Sequence, residues 1–164
     1  MWLIEKKITL EKSKQLFEKI SPQIKPESQR DFLIIHSEKV GRLAKLIGEK
    51  SEMVNDVFEI AGWVHDLGYV KDFAEHANYS IPIIEEAGYK VDDILRDCIL
   101  NHGNEKIPVT VEGKLFQIAD KLSIFDLDVI ALMLKHGTFP LKEDDVTFLK
   151  MMSEKSFELS KNFD

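Results

Sequence analysis

Four histidines and two aspartates constrain this chain more than any other feature of it: His36, the adjacent pair His65 and Asp66, His76, His102 and Asp120. Each sits in, or at the end of, a stretch with helical periodicity. A carboxylate on an apolar helix face is costly to bury unless it is paired or bound to a cation, and an imidazole there costs less but not nothing. Imidazole nitrogen mixed with carboxylate oxygen is the donor set of Zn, Mn, Fe or Co rather than of Mg or Ca alone. Taken singly, each residue has an ordinary reading. His36 among Phe32, Ile35 and Val40 could be a satisfied core histidine, and the His-Asp dipeptide is common by chance. Asp120 could pair with a basic neighbour, and His102 could close a helix by bonding a carbonyl. His136, in Lys135-His136-Gly137, reads as that last kind of residue and is set aside.

The bounds set by composition are compatible with a buried polar site. A chain of 164 residues with 44% apolar content is expected to form one domain, 1–164. No run of about 18 apolar residues suggests a membrane span, and the N-terminus lacks the basic start and apolar stretch of a signal peptide. Cys98 is the single cysteine, so no intrachain disulfide is expected; it falls on the Val91, Ile94, Leu95 side of a helical pattern, which is a core position. A cytoplasmic protein is the reading. The net charge of -7 argues against long nucleic acid or an anionic membrane as partner. A small phosphorylated ligand stays open, because a divalent ion reverses the local sign.

The periodicity is helical throughout. A first helix is expected from Thr9 to Ile20, ending at Ser21-Pro22, with a turn from Pro22 to Pro26. Ser28 reads as the N-cap of a long helix to Lys50, and Ser51 as the cap of a helix carrying Val57, Phe58, Ala61, Val64 and His65. Gly68 stands where a C-terminal stop belongs. Further helices are expected around His76 to Gly88, with Pro82 near its first turns or at a kink, and then over Val91 to His102. After a loop from Gly103 to Thr110, helix is expected over Val111 to Phe125, Leu127 to His136 and Lys142 to Asn162. Strand alternation is ambiguous only at Ile107 to Val111. The last helix, with Phe148, Leu149, Met152, Phe157 and Leu159, suits either packing on the core or a homodimer.

His65 and Asp66 are neighbours, so on a continuing helix their side chains diverge by about 100°. Two adjacent donors still reach one ion if it lies off the helix end. Leu67-Gly68 places that end here, and the free carbonyls of a last turn favour a cation.

Together these residues resemble the HD-domain superfamily of metal-dependent phosphohydrolases, whose pattern is a His on one helix, His-Asp ending the next and an Asp on a later one. The matching strings are His36-Ser-Glu-Lys-Val, then Ala61-Gly-Trp-Val-His65-Asp66-Leu-Gly68-Tyr69, then Ile118-Ala-Asp120-Lys121-Leu-Ser123, so the resemblance spans Ser28 to Ser123. It implies an all-α fold, a helical bundle, with residues 127–164 packing on it. His36, His65, Asp66 and Asp120 would bind one divalent ion. Some branches add two histidines and a second ion. His76 in His76-Ala-Asn-Tyr-Ser80 and His102 in Ile99-Leu-Asn-His102-Gly103 stand at those places, unless they instead meet substrate or an outer water.

The resemblance thus implies one or two transition-metal ions per chain (Fe, Mn, Co, Ni or Zn). The activity it implies is cleavage of a phosphoester or phosphoanhydride of a small molecule, a nucleotide above all, by a metal-activated water. Asp66 would carry the catalytic role of bridging two ions. Lys39, one turn from His36, and Lys121, beside Asp120, would meet the substrate phosphate unless they are ordinary surface lysines. Many relatives have Lys where Tyr69 stands; Lys71 could substitute, or Tyr69 could donate a hydrogen bond. The Gly-Tyr-Pro string of the branch that cleaves cyclic dinucleotides is absent after His102, and the Glu-Asp pair of the alarmone hydrolases is not evident. Two other readings share the fold: a diiron oxygenase of the same superfamily, and a catalytically silent sensor or partner-binding domain.

Overall fold

The computed structural model describes residues 6–53 and 55–135, and beyond them 147, 150, 151, 153–155, 157, 158 and 161. In chain order the regular elements are β1 (Lys6–Lys7), α1 (Leu10–Ile20), α2 (Glu27–Lys50), α3 (Val57–Val64), α4 (His76–Glu86), β2 (Tyr89–Lys90), α5 (Asp93–Leu100), α6 (Val111–Ser123) and α7 (Leu127–Lys135). Tight 3-10 turns, Ser21–Gln23 and Leu67–Val70, follow α1 and α3. The fold is all-α.

Three helices begin where a side-chain oxygen takes up a free N–H of the first turn. Thr9 accepts from the N–H of Lys12 (3.3 Å), Asp92 from that of Leu95 (3.0 Å) and Thr110 from that of Gly113 (2.9 Å). Two expected caps are corrected. Ser28 lies inside α2, which starts directly after Pro26; the Pro26 carbonyl already accepts from the N–H groups of Gln29 and Arg30. Ser51 closes α2 instead of opening the next helix, its own N–H donating to the carbonyls of Ile47 and Gly48. The following helix starts later, at Val57, whose N–H donates to Asn55 Oδ1 (3.0 Å). α4 runs on through Pro82 in its second turn.

The long helix α2 is the central post, with α3 and α6 along it and α7 also against it. At the α2–α3 crossing a Cβ on Gly62 would stand 2.6 Å from the Ser37 carbonyl oxygen, so only glycine lets the two backbones meet this closely. Leu33, Val40 and Ala44 of α2, Phe58, Ala61 and Val64 of α3, and Phe116 and Ala119 of α6 are fully buried between them. Burial of a side chain such as Phe58 is worth about 1.5–3 kcal/mol relative to exposure. Ile84 of α4 and Cys98 and Ile99 of α5 complete the core. The Cys98 thiol is thus a packing group, and burial pushes it further from ionisation.

β1 and β2 form a two-residue parallel pair, Lys6 opposite Tyr89 and Lys7 opposite Lys90, which joins the N-terminal segment to the end of α4. Ile107 to Pro108 is loop, and Val111 opens α6. Of the expected C-terminal helix, Thr147, Lys150, Met151, Ser153 to Lys155, Phe157 and Glu158 are helical; Phe148, Leu149, Met152, Leu159 and also His136 lie outside the described residues. Among the described residues, no helix is long and apolar enough to cross a membrane.

Candidate metal centre

Five segments each deliver a donor to one place. His36 comes from the buried face of α2, between Leu33 and Val40, and Asp120 from the last turns of α6. His65 and Asp66 sit where α3 gives way to the 3-10 turn, so the helix does end at this pair. His76 is the first residue of α4, and His102 follows the end of α5. Each helix end or face is chosen by its apolar residues, and the polar donor is carried in with them.

Asp66 lies at the middle of the cluster. Its Oδ2 is 3.2 Å from His65 Nε2 and 3.6 Å from His36 Nε2. Its Oδ1 is 3.2 Å from His76 Nε2 and 3.5 Å from His102 Nε2. Asp120 Oδ1 is 3.1 Å from His36 Nε2 and 3.6 Å from His65 Nε2. The triads His36, His65, Asp120 and His65, Asp66, His102 each bring their donor atoms within 4.8 Å of one another, close enough for one ion.

The outward nitrogens turn the rings as metal donors would be turned. His65 Nδ1 faces the carbonyls of Ala61 (3.1 Å) and Gly62 (3.0 Å), His76 Nδ1 that of Phe73 (2.8 Å), and His102 Nδ1 that of Ile99 (2.6 Å). The Ser123 hydroxyl donates to the Asp120 carbonyl (2.7 Å), so at 3.1 Å it accepts from His36 Nδ1. In its neutral form each of the four rings therefore carries its proton on Nδ1 and turns a lone pair on Nε2 inward, the arrangement that orients imidazole for a metal. His76 and His102 Nε2 face each other at 3.1 Å, and His65 Nε2 and Asp66 Oδ1 are buried with no hydrogen-bond partner. Inward lone pairs and carboxylates repel one another unless positive charge stands between them, so the residues fit a divalent cation.

The electrostatics agree. Burial would raise Asp66, but a protonated His65, with the His102 and His76 rings close by, holds it well below the usual carboxylate range. Burial likewise opposes ionisation of Asp120, and Lys121 together with His36 and His65 holds it low. Burial pulls His65 down, yet Asp66 and Asp120 outweigh it and push the imidazole up to about 10. His76 is raised by Asp66 against the pull of burial, whereas burial keeps His102 below its ordinary value. The cluster draws in positive charge.

Supporting residues that the sequence did not single out fix this geometry. The Ser80 hydroxyl lies 2.7 Å from the His65 carbonyl and 3.0 Å from that of His76 and accepts from the Gly68 N–H (2.9 Å), joining the end of α3 to α4. A Cβ on Gly68 would fall 1.8 Å from the His76 carbonyl oxygen. Gly68 is thus required by this close approach and is not the left-handed helix stop its position suggests. Beyond α5, Gln117 Nε2 donates to the carbonyls of Gly103 (2.8 Å) and Lys106 (2.9 Å), holding the loop that carries His102. Signals for them were present but faint: Gln117 is polar between Phe116 and Ile118, and Ser80 falls four residues after His76.

The four residues expected near a substrate phosphate are placed differently from one another. Lys39 Nζ turns to Asp128 (2.6 Å) and Asp126 (3.2 Å), tying α2 to the start of α7. Lys121 is buried with its Nζ on Asp120 Oδ2, which leaves Oδ1 for the centre. Tyr69 stacks on the His76 ring at 4.2 Å and 15°, and burial and the nearby carboxylates suppress its ionisation. Lys71 is exposed just after the 3-10 turn. The structure brings all six donors together, with Lys121 and Tyr69 against them. The cavity of about 640 Å³ between Lys7, Asn55, Val57 and Lys90 holds none of them.

A helical bundle that gathers four imidazoles and two carboxylates from five segments at its centre is of a class that could hold a metal ion. A family model for the HD domain matches residues 33–124, more than half of the chain, and the chain belongs to that family, which lies within a superfamily of metal-dependent phosphohydrolases whose HD domains bind divalent metals. It is also 26% identical over 115 residues to a deoxyguanosinetriphosphate triphosphohydrolase-like protein of Caldanaerobacter subterraneus subsp. tengcongensis, covering 58% of this chain and 34% of that one. The chain thus spans about a third of the length of that curated relative. No solved structure matches it.

Proposed function

We propose that this chain hydrolyses a phosphoester or phosphoanhydride of a small molecule, a nucleotide in class, at a centre where Asp66, with His36, His65, Asp120, His76 and His102, would hold two divalent ions. The observation that carries this reading is the division of labour on the Asp66 carboxylate. Oδ2 faces His36 and His65, and Oδ1 faces His76 and His102. Asp120 Oδ1 joins the first pair, and Lys121 occupies its other oxygen. Divalent ions held there would supply an acidified water and offset charge on a phosphoryl group. The protein contributes position: six donors oriented before any ligand arrives, on segments locked by Ser80, Ser123 and Gln117. Tyr69, beside His76, is placed to donate a hydrogen bond to a phosphoryl oxygen. The nucleotide class is supported by the name of the matched relative, and the net charge of -7 favours a small ligand over long nucleic acid or a membrane surface.

Metal content by plasma mass spectrometry, paired with phosphate release from a panel of phosphoesters with and without O₂, tests the proposal. About two transition-metal ions per chain and O₂-independent release are expected, with both lost in Asp66→Ala. Turnover that survives in Asp66→Ala would remove the bridge, and a single ion per chain would return His76 and His102 to other work.

A further inference from the structure

Solvent reaches the centre on one side. The side chains of His36, His65, Asp66, His102 and Asp120 are each at most 9% exposed, whereas the His76 side chain is 18% exposed. A substrate therefore meets the donors past His76. The rings beyond it form a line: Tyr69 lies over His76, and Phe73 stands edge-on to Tyr69 at 5.3 Å and 72°. Phe73 is 70% exposed, the most exposed aromatic side chain among the described residues. One exposed apolar side chain needs no explanation by itself. This one is anchored to the site, because its own carbonyl accepts from Nδ1 of His76. Asp72, next to it, holds the turn by accepting from the Glu75 N–H (2.8 Å). Exposed Lys71 adds a positive charge two residues away.

An anchored aromatic face beside a phosphate-binding centre suits a planar π-system, and every nucleobase offers one. Building on the phosphohydrolase reading, we infer that Phe73 is the stacking platform for the base of a nucleotide whose phosphate lies at the metal centre. Phe73 then sets the preference for base-bearing over base-free phosphoesters.

Calorimetric titration of the manganese-loaded protein with adenosine 5′-monophosphate and with ribose 5-phosphate tests this. Base stacking on an aromatic corresponds to a margin of about 5- to 150-fold in favour of the nucleotide. Phe73→Ala is expected to bring the nucleotide down to the affinity of ribose 5-phosphate, and Phe73→Tyr to restore the margin. A wild-type protein without the margin, or a Phe73→Ala protein that keeps it, overturns the inference. Phosphate release is scored separately. Stacking without release from any ester would sink the hydrolase reading alone, and release with an unchanged margin in Phe73→Ala would sink the stacking alone.

Discussion

Ser123 shows how much one hydroxyl can decide. It donates to the carbonyl of Asp120 and accepts from His36, 87 residues before it, so it fixes the ring of one donor against the backbone of another. In Ser123→Ala the His36 Nδ1–H is left buried without its partner. A loss of about 1–3 kcal/mol of stability is expected from that, with metal affinity about 10- to 100-fold weaker. Denaturant unfolding and metal titration measure the two effects, and Ser123→Thr, which keeps the hydroxyl, restores the affinity; unaltered metal binding in Ser123→Ala would reduce Ser123 to a packing residue. The six donors were legible in the sequence because a carboxylate or imidazole on an apolar helix face asks for an explanation. Ser123 and Ser80 stood in the matching strings, but their bonding roles were not legible, because a hydroxyl is common anywhere and one partner of each lies far away in the chain.

At the scale of elements, the connection between α5 and α6 depends on Asp97. Its Oδ2 accepts from the Thr110 N–H (2.7 Å) and hydroxyl (2.6 Å), and its Oδ1 from Asn101 (2.7 Å), with the Val109 N–H shared at 3.1 Å. This carboxylate pins the end of the His102 loop onto the start of α6. Burial works against its ionisation, but the hydrogen bonds from Thr110, Asn101 and Val109 win and hold it below the usual carboxylate range. A depressed carboxylate adds stability above its unfolded value of about 3.9 and loses that contribution as pH falls through the lower folded value. Asp97→Asn is therefore expected to cost about 1–3 kcal/mol at neutral pH and to converge on the wild type in acid. Urea midpoints from pH 7 down to pH 3 report it, and a gap that stays constant across that range would assign the cost to something other than charge. Helix interiors were readable from the apolar spacing, and the ends at Ile20 and Lys50 lie where the sequence puts them. Starts were harder. Ser28 and Ser51 have cap chemistry, yet Pro26 and Asn55 take those roles, because the choice depends on how the chain enters the bundle. The β1–β2 pair joins residues more than eighty apart in sequence and is too short to show any alternation.

For the whole molecule, donors on α2, at the end of α3, on α4, after α5 and on α6 would make ion binding and folding one equilibrium. A ligand that binds only the folded state at 100 times its Kd adds about 2.7 kcal/mol. Thermal unfolding of the manganese-loaded protein should therefore come at a higher temperature than that of chelator-treated protein, and readdition should restore it. In Asp66→Ala the metal-dependent shift should vanish; a wild-type Tm indifferent to metal would separate the centre from the fold. The order of the donors has one more consequence. They emerge during synthesis at residues 36, 65, 66, 76, 102 and 120, with Lys121 directly behind the last. A nascent chain cannot assemble the complete set until α6 has left the ribosome, nor can a fragment cut anywhere between residues 36 and 120. Full metal occupancy would in that sense be a checksum on residues 36–120, certifying that each segment among them has been made and has arrived.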